Sequence, residues 1–215
     1  MRGLLISIFL LLPRGSPALF YDFEDEAQLN DWEVVGDAKW TVKDGVLLCE
    51  EPKGTRQQQR LELKDIEFSD GTIEYKIKWI SGTWFEGGVY YRLQDDNNWY
   101  NTHLSNWDKS VRWMAMVGGN LDWRPKPVTI EKDKWYHVKV VVEGERHRIF
   151  VNDELLWDVE HKGFEKGKIA IGTWSAEEEV WCVDDFKVEG KGIPAMSVAP
   201  GGSLAVTWGA VKGGR

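Results

Sequence analysis

The chain has 215 residues, 13 of them tryptophan, and a formal net charge of -8. This length is enough to bury a core and form one domain of ordinary size. The negative charge, without a dense cluster of lysine and arginine, argues against a nucleic-acid partner, because a polyanion requires a basic surface. A core rarely needs so many tryptophans, since each indole N–H must find a partner, so we expect some of the rings to serve recognition.

The first residues, MRGLLISIFLLLPRGSPALF, are typical of an export signal. Arg2 gives a positive start, Leu4 to Leu12 is a short apolar run, and Ala18 is the small residue that a signal peptidase requires. The run is too short to cross a bilayer, although an uncleaved N-terminal anchor is the alternative. We therefore predict a signal peptide over residues 1–18, no stable membrane span after its removal, and a secreted, periplasmic or cell-surface location.

From Leu19 onward, apolar and polar residues alternate with period two, and no long stretch has helical period. Gly, Asn and Asp turns separate the segments. This pattern predicts an all-β domain over residues 19–190, a two-sheet antiparallel jelly-roll sandwich. The predicted strands, in chain order, are LFYDFE, KWTVKDGVLLCE, RLELKDIEF, GTIEYKIKWI, GGVYYRLQ, WYNTHLS, SVRWMAMV, KWYHVKVVVEG, RHRIFVND, ELLWDVE, GKIAIGTWS and VWCVDDFKVEG.

Two of the predicted strands gather aromatic and hydrogen-bonding residues in the stretch GGVYYRLQDDNNWYNTHL. Strand parity puts Tyr90 and Arg92 on one face, with Leu93 on the other. Aromatic rings stack on the C–H patches of a sugar, and charged side chains hydrogen-bond its hydroxyls. We therefore predict a carbohydrate-binding face formed by Tyr90, Arg92, Trp99, Asn101, His103, Trp107 and Trp113.

The alternative is a structural role for the same residues. Arg92 could pair with Asp95 or Asp96 across the end of the hairpin, while Trp99 and Trp113 belong to the core. Sheet faces also carry such side chains for cross-strand packing alone.

A catalytic array is missing from the sequence. Glycosidases of similar folds carry two or three carboxylates alternating along one strand, because acid and nucleophile flank the same bond. No strand here has that spacing, and no zinc or nucleophile–histidine motif occurs. We therefore assign no catalytic residue and favour a non-catalytic protein.

The two cysteines, Cys49 and Cys182, fall in predicted strands near opposite ends of the domain. An oxidising compartment would allow them to form a disulfide that joins the first strands to the last. Two buried thiols are the alternative, because spacing does not reveal whether the Cα atoms approach closely enough.

After Gly190 the alternation stops, and glycine, proline and serine punctuate the chain. We predict that residues 191–215 form a tail or linker. The segment SLAVTWGAVK within it is apolar enough to be a short strand or to dock on a surface or protein partner.

Four segments together carry a resemblance to a known superfamily: YDFEDEAQLNDWEVVGDAKWTVKDGVL, GGVYYRLQDDNNWYNTHL, KWYHVKVVVEGERHRIFVNDELLWDV and GKIAIGTWSAEEEVWCVDDFKVEG. Their order and spacing resemble the concanavalin A-like lectin/glucanase superfamily, in particular the laminin-G-like jelly-roll domains of exported bacterial proteins. A more distant resemblance is to bacterial domains assigned to the hydrolysis of 3-keto-disaccharides. Those domains have Asn-Ser-Gly before the central arginine, where this chain has Glu86-Gly87-Gly88.

The resemblance also implies a metal site. Related jelly rolls hold a structural calcium between the first and last strands, where Glu24 or Asp22 and Asp184 or Asp185 would supply oxygen ligands. The alternative is a solvated acidic edge that blocks aggregation between sheets.

The leading hypothesis is a secreted, lectin-like module that binds an oligosaccharide or polysaccharide without catalysis. One alternative is an enzyme, a glycoside hydrolase-like domain of the 3-keto-disaccharide hydrolase type. A second is a cell-surface adhesion module attached through the tail.

Overall fold

The computed structural model describes residues 18–54, 58–174 and 177–194. In this part of the chain, strands form two antiparallel sheets, and one short 3-10 helix spans Glu26–Asp31. The main apolar core joins residues of both sheets. The predicted two-sheet antiparallel jelly-roll sandwich is therefore confirmed.

The first sheet has eight strands: β1 (Ala18–Tyr21), β3 (Lys39–Lys43), β4 (Val46–Glu51), β6 (Gly71–Gly82), β11 (Trp135–Glu143), β12 (Arg146–Val151), β13 (Glu154–Glu160) and β15 (Glu179–Gly190). Their order is β13-β12-β11-β6-β15-β4-β3. Strand β1 pairs with the C-terminal part of β15, beyond the residues that pair with β4.

The second sheet has seven strands: β2 (Trp32–Val35), β5 (Gln59–Leu63), β7 (Glu86–Asp95), β8 (Asn98–Ser105), β9 (Ser110–Val117), β10 (Asn120–Pro127) and β14 (Lys168–Thr173). Their order is β10-β9-β8-β7-β14-β5-β2. Strands β7 and β8 form the hairpin of the predicted binding stretch, and they occupy the middle of this sheet.

The core between the sheets follows the alternation of the sequence. Ile73 and Tyr75 of β6 lie opposite Val140 and Val138 of β11, and all four side chains are buried. Burying one such side chain contributes about 1.5–3 kcal/mol. The period-two pattern therefore identified these core positions correctly.

Two strands, β2 and β10, were not among those predicted from the sequence. β10 contains Pro125 and Pro127, which lack the N–H that a central strand must donate. Within the part of the chain that the structure describes, β10 is the edge of its sheet and pairs with β9. Proline is tolerated there because one side of β10 faces no described strand that would need to receive an N–H.

A β-bulge interrupts the predicted binding hairpin. The register between β7 and β8 shifts between Tyr91 and Asp95, and Arg92 has a φ of 48°. A bulge changes the face to which the following side chains point. Leu93 consequently packs with Tyr90, so the prediction that Tyr90 and Arg92 share a face opposite Leu93 is wrong.

The two cysteines do not form the predicted disulfide: both thiols are free and buried. Cys49 lies opposite Trp181, and Cys182 lies opposite Leu48 in the same ladder. Successive residues of a strand point to opposite faces. Cys49 therefore points into the core with Trp181, whereas Cys182 points to the other side of the sheet, and two buried thiols are the correct alternative.

We expect reducing agent to leave the thermal unfolding midpoint unchanged, because no disulfide is present to be cleaved. Burial raises the pKa of Cys182 to about 12 and that of Cys49 well above its usual value. Since the thiolate is the reactive form, iodoacetamide should label neither cysteine in the folded protein and both after denaturation without prior reduction. Mass spectrometry measures the adducts; a denatured sample that needs reduction before labelling would contradict the structure.

The predicted signal peptide lies outside the described residues except for Ala18, which begins β1 and pairs with Glu189 of β15. The predicted tail is described as far as Pro194. Lys191 Nζ is 2.9 Å from Asp70 Oδ2, and Ile193 is buried. Among the described residues, no helix has the length and apolar character needed to span a membrane.

Candidate functional site

The outer face of the seven-stranded sheet, the side turned away from the eight-stranded sheet, carries its own apolar cluster. This cluster is separate from the main core between the sheets. Its buried members come from β7, β8, β9 and β14 and are Tyr90, Leu93, Trp99, Met114, Met116 and Ala170.

Two glycines form the floor of this outer face. Gly88 and Gly172 are register partners on β7 and β14. A Cβ atom at Gly88 would lie 2.9 Å from His103 Cδ2, and one at Gly172 would lie 3.1 Å from Tyr90 Cε2. The absence of side chains therefore allows the rings of Tyr90 and His103 to lie close against the sheet.

Beside this floor, Arg112 of β9 is bonded to groups from three segments. It lies opposite His103 of β8 and pairs through Nη1 with the carboxylate of Glu86. Its Nε donates to Asp108 Oδ2 at 3.0 Å, and its Nη2 donates to Ser105 Oγ at 3.1 Å. The guanidinium is 5% exposed, so these bonds fix it in a single orientation.

Exposed tryptophans flank this buried cation. The Arg112 guanidinium lies 5.8 Å from the ring centroid of Trp107 and 5.1 Å from that of Trp123. Trp107 is 54% exposed and Trp123 is 44% exposed. Trp84 stacks on Trp107 with centroids 4.9 Å apart and ring planes 3° from parallel. The result is a polar centre bordered by two accessible aromatic rings, held partly by cation–π attraction.

Deeper on the same face, two polar side chains have unpaired atoms. Asn101 Nδ2 lies 2.6 Å from His103 Nε2, whereas Asn101 Oδ1 and His103 Nδ1 have no hydrogen-bond partner among the described residues. His103 Nδ1 lies 3.8 Å from Glu86 Oε1, beyond hydrogen-bond distance. Burial lowers the pKa of His103 below its ordinary value, so the ring is neutral at pH 7.

Charged side chains also cover part of the aromatic cluster. The Arg60 guanidinium lies 5.9 Å from the Tyr90 ring, and its Nη2 donates to Asp96 Oδ1 at 2.8 Å. Its Nε donates to Glu62 Oε1 at 3.1 Å. The Arg60 side chain therefore covers the Tyr90 ring, and the Trp99 ring packs edge-on against Tyr90 with ring centroids 5.3 Å apart.

Four of the predicted ligand residues, Tyr90, Trp99, Asn101 and His103, share the outer face. All four are fully buried in the described structure and form the base of the face. Trp107 borders them and is exposed. Their role in binding a ligand stays a prediction.

Arg92 and Trp113 do not lie on this face, so their predicted placement is wrong. Arg92 donates to the carbonyl oxygens of Ser69 and Phe164 at 3.0 and 2.8 Å and pairs with Asp70. Trp113 faces the core and donates its indole N–H to Tyr91 OH at 3.0 Å. The bulge in β7 turns Arg92 away from the outer face. Trp113 occupies a position of β9 whose side chain points into the core.

Sequence reasoning missed the centre of the site, namely Glu86, Asp108, Arg112 and Trp123. Arg112 alternates with Met114 and Met116 on one side of β9, and Trp113 alternates with Val111 and Ala115 on the other. The sequence of either set of side chains is compatible with the buried face of a half-buried strand. Trp123 lies in β10, whose two prolines are atypical of a strand.

A second group of carboxyls lies between the sheets near Glu86. Glu51 ends β4 and Glu179 begins β15, and the two are register partners whose buried side chains lie on the same face of the sheet. Trp181 Nε1 donates to Glu51 Oε1 at 3.1 Å, and Thr173 Oγ1 donates to Glu179 Oε1 at 3.2 Å. Burial is the main reason that the pKa values of both glutamates are raised.

The acidic edge predicted to hold calcium is arranged differently. Glu24 lies against the turn at Gly45, Asp184 Oδ1 accepts the N–H of Asp185, and Asp185 Oδ2 is 2.5 Å from Lys76 Nζ. Within the described residues, no three His, Cys, Asp or Glu side chains are grouped to hold a metal ion. Calcium binding by these side chains stays a prediction.

The chain is similar in sequence to known proteins. Residues 18–189 match the model of the family described as the 3-keto-alpha-glucoside-1,2-lyase-like domain. A levanase of Bacillus subtilis (strain 168) is 26% identical over 143 residues, which cover 64% of this chain and 21% of the levanase. The chain therefore matches about a fifth of that relative's length.

Solved structures share the fold. The carbohydrate-binding module CBM66 from Bacillus subtilis superposes with a TM-score of 0.64 at 20% identity, covering 74% of this chain and 96% of the module. A Bacillus licheniformis β-glucanase superposes with a TM-score of 0.63 at 9% identity, covering 83% of this chain and all of the enzyme's chain (100%). At these identities the similarity shows the fold alone.

Proposed function

The chain belongs to the 3-keto-alpha-glucoside-1,2-lyase-like domain family, and on that premise we propose that it binds carbohydrate on the outer face of its seven-stranded sheet. The ligand lies across Trp107, Arg112 and Trp123. The observation that carries this proposal is the buried Arg112 guanidinium held between two exposed indole rings.

This arrangement matches the chemistry of a sugar. The C–H faces of a pyranose or furanose ring are apolar and pack on an exposed indole ring. The hydroxyls of the sugar need hydrogen-bond partners in fixed positions. Glu86 and Asp108 supply carboxylate oxygens beside the rings, and charge-assisted bonds to them are stronger than neutral ones. Arg112 holds both carboxylates in place, so little side-chain entropy is lost when a ligand binds.

The relatives support a binding module more than a complete enzyme. The structurally similar CBM66 is named a carbohydrate-binding module, and this chain covers 96% of it. The levanase, by contrast, is matched over only 21% of its length. We expect the ligand to be an oligosaccharide or polysaccharide and the protein to act outside the cytoplasm, as its N-terminal sequence predicts.

Removing either exposed ring should weaken binding without unfolding the protein. We expect W107A and W123A each to weaken retention on immobilised polysaccharide about tenfold, which corresponds to about 1.4 kcal/mol. Affinity electrophoresis against levan and mixed-linkage β-glucan measures the retention. The matched control is W135A, because Trp135 lies on the other sheet beneath Lys78 and also forms a cation–π pair, at 4.5 Å. Unchanged retention of W107A and W123A on a polysaccharide that binds the unmodified chain would refute the site.

A second candidate function is catalysis on 3-keto-glucosides, as the family description suggests. The observation in its favour is the Glu51–Glu179 carboxyl pair, whose raised pKa values keep a proton available near Glu86. Release of nitrophenol from a nitrophenyl 3-keto-α-glucoside tests this candidate. Turnover that disappears in E179Q would favour the enzyme, and absence of turnover would leave binding alone.

A further inference from the structure

The Glu51–Glu179 carboxyl pair joins the two sheets at one end of the sandwich. Both glutamates belong to the eight-stranded sheet. Glu179 accepts hydrogen bonds from two groups of the seven-stranded sheet, the backbone N–H of Glu86 at 3.2 Å and the Thr173 hydroxyl at 3.2 Å. One buried carboxyl therefore holds the beginning of β7 and the end of β14 against β15.

Glu51 and Glu179 are register partners on neighbouring strands, so their buried carboxyls lie on the same face of the sheet. Two ionised carboxylates so placed repel strongly in a buried site, whereas a proton between them removes the repulsion. Among the described residues, neither carboxyl has a lysine, arginine or histidine partner. Burial, followed by the charge of Glu51, raises the pKa of Glu179 well above its ordinary value. One shared proton is thus the simplest way to satisfy this geometry.

Glu86 connects this pair to the outer face. Its backbone N–H donates to Glu179 Oε2, and its side-chain carboxylate pairs with Arg112. We propose that Glu179 is a positioning residue for the carbohydrate site: together with Glu51 it fixes Glu86 and, through Glu86, the orientation of Arg112 between Trp107 and Trp123. This inference rests on the proposed function and adds a residue that does not touch the ligand.

The proposal predicts that the site depends on pH. As the pH rises through the pKa of the pair, the shared proton is lost and the two carboxylates repel each other. Below that pKa the pair is protonated and the site is ordered, and above that pKa the site loosens. The titratable and polar groups that face the pair come from β4, β7, β14 and β15 and are Cys49, Glu86, Tyr90, Thr173 and Trp181.

The experiment compares the full chain with E179Q, E179A and E178Q. The amide of E179Q can donate to Glu51 and accept from Glu86 N–H at every pH, so it replaces the proton. E178Q removes the same charge from the exposed neighbouring position and is the matched control. Two readouts are taken from pH 5 to pH 9.5: the NMR signal of the Arg112 Nε–H without ligand, and retention on levan by affinity electrophoresis.

For the unmodified chain and E178Q, we expect the Arg112 signal to shift or broaden as the pH rises through the pKa of the pair and retention to fall about tenfold. E179Q should show neither change, and E179A should lose both the signal and retention at every pH while its far-ultraviolet circular dichroism stays that of the folded protein. Identical pH profiles for the unmodified chain and E179Q would overturn the proposal. If no polysaccharide is retained but the Arg112 signal follows the expected pattern, the positioning role holds and the proposed function fails.

Discussion

Replacing Arg112 by methionine is expected to lower the free energy of unfolding by about 3–5 kcal/mol, the range for removing one partner of a buried ion pair. Arg112 is the cation that faces Glu86 and Asp108, and it also donates to Ser105. Methionine has similar length but no donor, so Glu86 would remain buried with its charge uncompensated. Carbohydrate retention should be lost together with stability, because both carboxylates lose their fixed positions.

Urea denaturation measures the loss, and R146M is the matched control. Arg146 pairs with Asp158 at 2.6 Å but is 51% exposed, and solvent screening makes such surface pairs contribute little to stability. A double variant with E86Q should recover part of the stability lost in R112M. Equal losses in R112M and R146M would contradict the role of Arg112 as a buried organising cation.

The pH dependence of R112M provides a further check. Burial by itself raises the pKa of Asp108, but hydrogen bonds from Arg112 and Ser110 hold that pKa below its ordinary value. A carboxyl with a lowered folded-state pKa contributes stability above its unfolded pKa and loses it as the pH falls through the folded value. In R112M the hydrogen bonds from Arg112 are lost and this contribution becomes smaller, so the difference in stability between the variant and the unmodified chain should narrow toward acidic pH.

Trp113→Ala is expected to cost about 3–5 kcal/mol as well, for a different reason: it leaves a cavity in the core. Trp113 is fully buried and packs against Tyr100, His147 and His161. Its indole N–H donates to Tyr91 OH, and Tyr91 OH lies 3.1 Å from His147 Nδ1. The alanine variant therefore loses both packing and one end of a buried hydrogen-bond chain.

Retention on carbohydrate separates this core role from a ligand role. The folded fraction of W113A should bind with unchanged affinity, whereas W107A should bind weakly and unfold at the same urea concentration as the unmodified chain. W113F, which keeps an aromatic ring, should lose less stability than W113A. A W113A protein that is stable but does not bind would mean that Trp113 contacts the ligand after all.

Much of the fold was accessible from the sequence because strand alternation is a local property. In β6, Ile73 and Tyr75 point inward since every second residue of a strand shares a face. The same rule correctly grouped Tyr90 with Trp99, Asn101 and His103 on the outer face. The Gly and Asp turns marked where these strands end, so the all-β class and the central hairpin followed from the chain alone.

The site's composition depended on features that alternation cannot express. The bulge at Arg92 turns a predicted ligand residue toward Ser69 and Phe164. In β9, strand alternation separates Arg112 from Trp113 but does not indicate which of the two faces the core. The partners of Arg112 come from β7, β8 and the turn before β9, and Glu51 and Glu179 are 128 positions apart in sequence. The register and packing of the two sheets bring such contacts together, and no local pattern of the sequence encodes them. The class of fold and most of the core therefore follow from strand alternation, whereas the set of polar and aromatic side chains on the outer face follows from the packing of the folded sheets.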